Sequence, residues 1–150
     1  MTDTPSQPRA SARQTIRPRW WWPFRRPARR SLGKRAELAA AKHLRRHGYR
    51  ILGRNVGTRL GEIDLVAEEK ASGTIVIVEV KAAATDTPPP ESRVGWAKQR
   101  KLAVLAADLV RRRGWGERVV RFDVVGVVWP EDARAPTRLT HYPNAFEAPA

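Results

Sequence analysis

The sequence predicts an α/β domain whose central β-sheet is mixed. Three features of the chain predict it: an amphipathic helical stripe over residues 31–47, strand-like runs between residues 49 and 82, and a second helical stretch followed by one more strand. A tight turn makes the second and third strands an antiparallel hairpin, whereas a helical crossover places the third and fourth strands parallel. The predicted element order is therefore α-β-β-β-α-β.

The first helix is predicted to begin at Ser31, which can cap it, and to stop at Gly48. Glu37 lies on the stripe that must pack on the sheet, so its carboxylate points inward toward a site. The alternative is an ion pair with a neighbouring Arg, or exposure at the edge of the stripe. His43 and His47 lie four residues apart without the Glu of an H-E-x-x-H motif, so we predict solvated histidines. The stripe comprises Gly33, Glu37, Ala40, Ala41 and Leu44.

Two strands follow, at "YRILGRNV" and "GEIDLVAEE", and residues 68–73 then turn the chain into a third strand over residues 74–82. Side chains along the second strand alternate between the two faces of the sheet. One face is predicted to carry Ile63, Leu65 and Ala67, and the other face Glu62, Asp64 and Val66.

A Pro-rich loop, "TDTPPPES", precedes the second helix, which is predicted over residues 94–113. Its basic first half contains Lys98, Arg100 and Lys101. These side chains can bind phosphates or can simply be solvated residues at the start of the helix. The fourth strand, "RVVRFDVVGVVW", contains Asp123, either as a supporting acid near a metal or as a hydrogen-bonded structural group. The inward face of the helix is predicted to consist of Leu102, Leu105, Ala106 and Leu109.

The charge of the chain favours a polyanionic partner. Its 150 residues contain 29 Lys and Arg against 15 Asp and Glu, a net charge of +14, so nucleic acid is the leading class of partner. The absence of cysteine excludes disulfides and Cys-ligated zinc, and no apolar run approaches the ~20 residues of a membrane span. We therefore expect a cytoplasmic protein without a membrane span. The sequence leaves the oligomeric state open, a homodimer included.

Residues 1–30 are predicted to form a disordered basic tail ahead of a domain over residues 31–150. Pro, Ser and Thr are frequent in this segment, and no helical or strand periodicity is present. The tail includes "RWWWPFRRPARR", in which four aromatic residues interleave with Arg. These rings can pack on the domain, stack on nucleic-acid bases or insert among lipid headgroups. The segment lacks the long apolar stretch of a secretory signal.

Charged residues end the apolar third strand. Glu79 and Lys81 share one face of it, where charges cost several kcal/mol unless something compensates them. Asp64 on the neighbouring strand and Glu37 on the first helix can converge with them at one end of the sheet. Two or three carboxylates there form an oxygen-rich site suited to Mg²⁺ or Mn²⁺. Such a site fits phosphodiester hydrolysis, in which Lys81 orients the attacking water or steadies developing charge.

These residues resemble those of a known family. Asp64, followed after fourteen residues by Glu79-Val80-Lys81, resembles the PD-(D/E)xK signature of nucleases. E-x-K alone is unspecific, but here it ends an apolar strand and follows an acid on the preceding strand. The surrounding blocks "GEIDLVA", "VEVK", "RFDVV" and "HYPNAF" resemble the bacterial YraN family over roughly residues 33–147.

The resemblance implies a restriction-endonuclease-like core, similar to that of archaeal Holliday-junction resolvases. It implies that Asp64 and Glu79 bind a metal ion, that Lys81 is the catalytic lysine and that Glu37 is an accessory acid on the helix. The chain departs from the family pattern directly after Lys81, where "AAA" stands in place of the usual Thr and Arg.

We therefore expect a metal-dependent endonuclease that hydrolyses phosphodiester bonds in DNA, branched or damaged DNA among its substrates, with Mg²⁺ or Mn²⁺ as cofactor. The alternative is a nucleic-acid-binding module that keeps the nuclease fold without cutting. Attachment to a membrane surface through the tail is compatible with either function. Intact acids and lysine favour the enzyme, because a site that has lost its activity has no reason to keep charges in a buried strand.

Overall fold

The computed structural model describes residues 31–149, so the predicted tail over residues 1–30 lies outside the described part of the chain. The predicted order α-β-β-β-α-β is confirmed, and one further strand extends it. The elements are α1 Leu32–Arg46, β1 Tyr49–Thr58, β2 Gly61–Glu69, β3 Ile75–Ala83, a 3₁₀ turn Pro90–Arg93, α2 Trp96–Arg113, β4 Val120–Val128 and β5 Arg138–Phe146.

The five strands form one mixed sheet in the spatial order β1-β2-β3-β4-β5. The β1, β2 and β3 strands run antiparallel in succession, β3 and β4 are parallel, and β5 returns antiparallel to β4. The parallel pair is the one that α2 connects, as expected for a helical crossover. This arrangement is the restriction-endonuclease-like α/β core that the sequence predicts.

The two helices cover opposite faces of the sheet. Ser31 caps α1 as predicted, because its hydroxyl accepts a hydrogen bond of 3.4 Å from the Lys34 N–H. The small residues on the inner stripe of α1 bring this helix close to the sheet, and leucines form the inner stripe of α2. The core under α1 includes Ala40, Ala41, Leu44, Leu65, Val78 and Val125, and the core under α2 includes Ile63, Ile75, Ile77, Leu102, Leu105 and Leu109.

The predicted alternation along β2 is wrong at one residue. Leu65 and Ala67 pack under α1 and Val66 under α2, as predicted, but Ile63 belongs to the α2 side. The pairing of β2 with β3 begins at Leu65, so Ile63 lies in the part of β2 that is paired with β1 alone.

The sequence did not predict β5. This strand has no buried residue, contains Pro143, and reaches a positive φ of 49° at Asn144. Its register with β4 also shifts between Phe122 and Val124. An edge strand of this kind lacks both the apolar run and the strict alternation by which strands are recognised. Across residues 31–149, neither helix combines the length and apolar character needed to cross a bilayer.

Candidate functional site

The candidate site lies where β2 and β3 separate. The two strands are paired over a short ladder that ends at Leu65 and Val78, although both strands extend past it. The side chain of Asp64 bridges the gap, because its Oδ2 accepts a hydrogen bond of 2.8 Å from the Val80 N–H. A carboxylate thus replaces the carbonyl that a continuous ladder would supply, and it is fixed beside the charged end of β3.

Glu79 is the centre of the site. Its side chain is only 2 % exposed, and its Oε1 lies 2.7 Å from Lys81 Nζ and 3.0 Å from Lys98 Nζ. Both lysines are about a quarter to a third exposed, at 27 % and 30 %. The second carboxylate oxygen, Oε2, is buried without a hydrogen-bond partner among the described residues. Two cations therefore compensate one oxygen of Glu79 while the other oxygen remains unsatisfied.

The ionised form of Asp64 is disfavoured by its surroundings. Burial and, after it, the negative charge of Glu79 raise the pKa of Asp64 from 3.8 to about 6. The hydrogen bond from the Val80 N–H and the charge of Lys98 oppose this shift, while Glu37 adds a weak repulsion. Burial, more than charge, therefore disfavours the ionised form of Asp64.

Glu37 lies at the margin of the site rather than within it. The helix α1 packs on the face of the sheet opposite α2, and Glu37 is half-buried at the edge of its inner stripe. Its Oε2 accepts a hydrogen bond of 2.8 Å from Asn55 Nδ2 on β1, in a groove that Lys34 and Arg54 also line. The carboxylate is thus held by β1, and it reaches Asp64 only through its charge.

The three basic residues predicted on α2 have different surroundings. Lys98 contacts Glu79 inside the site. Arg100 is exposed, with its guanidinium carbon 5.2 Å from the centroid of the Trp96 ring. The side chain of Lys101 lies over Gly61, at the start of β2, so its charge is also close to the gap.

Lys98 belongs to the site itself, which was not predicted from the sequence. A signal for this was present, because Lys98 precedes Leu102, Leu105 and Leu109 by four, seven and eleven residues, which places it on their inward stripe. A lysine on the inner face of an amphipathic helix needs a buried acidic partner, and Glu79 provides it.

The donor set of Asp64 and Glu79 suits a divalent cation. Within residues 31–149, no group of three or more His, Cys, Asp or Glu side chains is placed to hold a metal ion. The two carboxylates nevertheless repel each other, and one buried oxygen of Glu79 lacks a partner among the described residues. Mg²⁺ is commonly bound through one or two carboxylates, with water and phosphate oxygens in the remaining positions. The two carboxylates are therefore oxygen ligands of the kind that such a cation takes.

Asp123 is a structural residue on the other face of the sheet. It is 1 % exposed and accepts hydrogen bonds from Arg121, from His141 Nε2 at 2.8 Å and from the Asn144 N–H at 2.9 Å. Burial raises its pKa, but these hydrogen bonds outweigh burial and hold the pKa below 3.8. The structural interpretation of Asp123 is confirmed, because its partners join β4 to β5 and none belongs to the site at Glu79.

The two histidines of α1 contact each other. The rings of His43 and His47 stack with their centroids 4.0 Å apart, and His47 Nδ1 lies 2.7 Å from the His43 carbonyl oxygen. His47 is exposed, as predicted, whereas His43 is half-buried. Burial and the neighbouring His47 and His141 lower the pKa of His43.

Comparison with known proteins places the chain in a family. The model of "Uncharacterised protein family UPF0102", which is the YraN family, matches residues 36–127. The UPF0102 protein of Rhodopirellula baltica is 43 % identical over 118 residues, which cover 78 % of this chain and 71 % of that protein. The chain belongs to the UPF0102 family. A UPF0102 protein of Symbiobacterium thermophilum is 44 % identical over 120 residues, covering 79 % of this chain and 98 % of that protein.

The segment matched to UPF0102 contains every residue of the candidate site. It begins within α1 and ends within β4, so it includes the gap between β2 and β3 and the start of α2. The predicted membership of the YraN family is confirmed. The β5 strand and the basic tail lie outside the matched segment.

Proposed function

We propose that this chain is a metal-dependent endonuclease that hydrolyses phosphodiester bonds in DNA. The observation that carries the proposal is the environment of Glu79, a buried carboxylate with one oxygen that has no partner among the described residues, next to Asp64 and two lysines. The pKa of Asp64 is raised by burial and by Glu79, and a carboxyl with a raised pKa beside other charged groups is typical of catalytic sites. The net charge of +14 supports a polyanionic substrate.

Asp64 and Glu79 would hold Mg²⁺ or Mn²⁺. When bound, such a cation supplies Lewis acidity, polarising a phosphoryl oxygen and lowering the pKa of water. Lys81 and Lys98 hold two ammonium groups within 3.0 Å of the same Glu79 oxygen, so positive charge lies beside the carboxylate that would bind the cation.

The lysines of the site would act on the attacking water and on the charge of the phosphoryl group. In hydrolysis the water oxygen forms a bond to phosphorus, the bond from phosphorus to the departing oxygen breaks, and the departing oxygen takes up a proton. Lys81 orients the attacking water or steadies the charge on the phosphoryl oxygens. Lys98 adds a second fixed positive charge from α2. Arg100 and Lys101 extend the positive surface along the same helix and would hold the DNA backbone.

The alternative is a nucleic-acid-binding module that does not cut. The positive charge of the chain alone is compatible with this function. However, the carboxylates of Asp64 and Glu79 would repel DNA phosphates, and burying them has a cost in stability. A binding module gains nothing from keeping them, so the acidic pair favours catalysis.

Incubation of the full chain with linear duplex, single-stranded and branched DNA tests the proposal, with Mg²⁺, Mn²⁺ or a chelator present. Cleavage should require the cation and should be abolished in Glu79→Gln. The matched control is Glu117→Gln, which makes the same change at an exposed residue. Cleavage in the presence of chelator, or equal cleavage by Glu79→Gln and the control variant, would show that the DNA is not cleaved at this site. Binding to DNA without cleavage under any condition would favour the binding module.

A further inference from the structure

A groove of about 560 Å³ lies between the outer side of α1 and the connection that follows β4. Four cationic side chains line it, Arg35, Lys42 and Arg46 from the helix and Arg134 from the connection. None of the described residues that line the groove is acidic. The positive charge of the groove is therefore not neutralised by the groove itself.

The groove is separate from the site at Glu79. Glu79 is contacted by Lys98 of α2, whereas the groove is built on α1, which covers the opposite face of the sheet. A ligand in the groove thus needs neither a divalent cation nor the acidic pair at the end of β3.

Arg35 contributes to the groove a positive charge whose buried donors have no partner among the described residues. Its guanidinium carbon lies 4.2 Å from the centroid of the Trp129 ring, so the side chain is held by stacking. Its Nε and Nη2 atoms are buried and have no hydrogen-bond partner within the described residues. Leaving a buried, charged donor unpaired is costly, and an anion in the groove would supply the missing compensation.

The spacing of the charges favours a polymeric anion over a single phosphate. Arg35, Lys42 and Arg46 lie seven and four residues apart on one helix, which spreads their Cα atoms over about 16 Å along its axis at 1.5 Å per residue. One phosphate contacts at most neighbouring side chains, while a nucleic-acid backbone presents a charge about every 3.4 Å along each strand.

We propose that this groove is a second nucleic-acid-binding surface, which holds the phosphate backbone on the face of the protein opposite the candidate active site. This second binding surface goes beyond the proposed endonuclease activity, because nucleic acid can bind in the groove without a metal ion and without cleavage. Together, the two faces would allow one molecule to contact two segments of nucleic acid at the same time.

Fluorescence anisotropy of a short labelled DNA duplex, measured with the full chain in chelator over a range of salt concentrations, tests the groove. The test variant is Lys42→Gln/Arg46→Gln, two exposed residues that project from α1. The matched control is Arg111→Gln/Arg112→Gln, which removes the same charge from exposed positions at the end of α2. The groove variant should bind more weakly, and its salt slope should flatten by about 0.9 for each phosphate that the variant no longer neutralises.

Three outcomes would contradict the proposal of a second binding surface. The salt slope of DNA binding could be unchanged in the groove variant, or it could change equally in both double variants. The third outcome is a groove variant that binds anionic lipid vesicles more weakly but binds DNA as the wild type does. Because no metal is present, the result does not depend on catalysis. Glu79→Gln should keep the wild-type slope or bind DNA more tightly, so failure of the endonuclease proposal and failure of the groove give different results.

Discussion

At the scale of single residues, the site is defined by an imbalance around two carboxylates. Glu79 has both of its lysine partners on one oxygen, and its other oxygen is buried without a partner in the described part of the chain. An unsatisfied buried acceptor costs on the order of 1–3 kcal/mol. Asp64 adds a second carboxylate whose pKa is raised by burial and by Glu79. The site is therefore a destabilised part of an otherwise well-packed sheet.

Replacing Asp64 should stabilise the metal-free protein in a pH-dependent way. The folded-state pKa of about 6 lies above the reference value of 3.8, so this carboxyl contributes its full stability below about pH 4 and loses it as pH rises through about 6. Asp64→Asn keeps an oxygen for the Val80 N–H and removes the charge. Above pH 7, it should be more stable than the wild type by up to about 3 kcal/mol.

Urea unfolding in chelator at about pH 5 and about pH 8 measures this difference. The gap between Asp64→Asn and the wild type should widen at the higher pH. A gap of the same size at both pH values would show that Asp64 is not strained by its charge.

At the scale of elements, the 3₁₀ turn sets the position of α2. The carboxylate of Glu91 in this turn accepts hydrogen bonds of 2.9 and 2.8 Å from Arg138 and of 2.5 Å from the Tyr142 hydroxyl, both on β5. The bonds from Arg138 lower the pKa of Glu91 to about 2. The same carboxylate lies directly against Gly126 of β4. These hydrogen bonds form a clamp between the 3₁₀ turn and β5. The clamp fixes the segment that leads into α2 and therefore also the position of Lys98.

A methyl group at position 126 should disturb this clamp. The Cβ of Gly126→Ala would overlap the carboxylate of Glu91, which cannot simply swing away because three hydrogen bonds hold it. We expect a decrease of about 1–3 kcal/mol in the free energy of unfolding. The control is Gly57→Ala, also in a strand, where the added Cβ meets nothing within 4 Å. Equal urea midpoints for the two variants would contradict the clamp.

The elements that the sequence predicted are those specified by local signals. The stripe of α1, the hairpin and the crossover through α2 follow from periodicity and turn residues. Ile63 lies in the part of β2 that pairs with β1 but not with β3, which is a tertiary feature, and β5 is an irregular edge strand without alternation. Asp64, Glu79 and Lys81 were found because acids and a lysine interrupt apolar strands. Lys98 was predicted either to bind phosphates or to be solvated at the start of α2, because it opens the basic run "KQRK".

At the scale of the whole molecule, positive charge is distributed over separate regions. The start of α2 carries Lys98, Arg100 and Lys101, and the outer side of α1 carries the basic groove. Residues 1–30 contain eight further arginines and one acid. Affinity for nucleic acid should therefore be a sum of several electrostatic contributions, each of which falls with salt.

Removal of residues 1–30 should lower nonspecific affinity for DNA. The salt slope on duplex DNA should flatten by about 0.9 for each phosphate that the eight arginines neutralise in the full chain. A full-length variant with these arginines replaced by Gln separates the effect of charge from that of the aromatic residues. If the slope of the truncated protein equals that of the full chain, the tail has no role in DNA binding.

The proposed endonuclease activity depends most on a single divalent-cation site formed by Asp64 and Glu79. Calorimetric titration of Mn²⁺ into the full chain tests it directly, without the need for a known substrate. The wild type should bind one cation, Asp64→Asn and Glu79→Gln should bind it at least about tenfold more weakly, and Lys81→Ala should retain it. The same Mn²⁺ affinity in the wild type and both acid variants would show that Asp64 and Glu79 do not form the cation site.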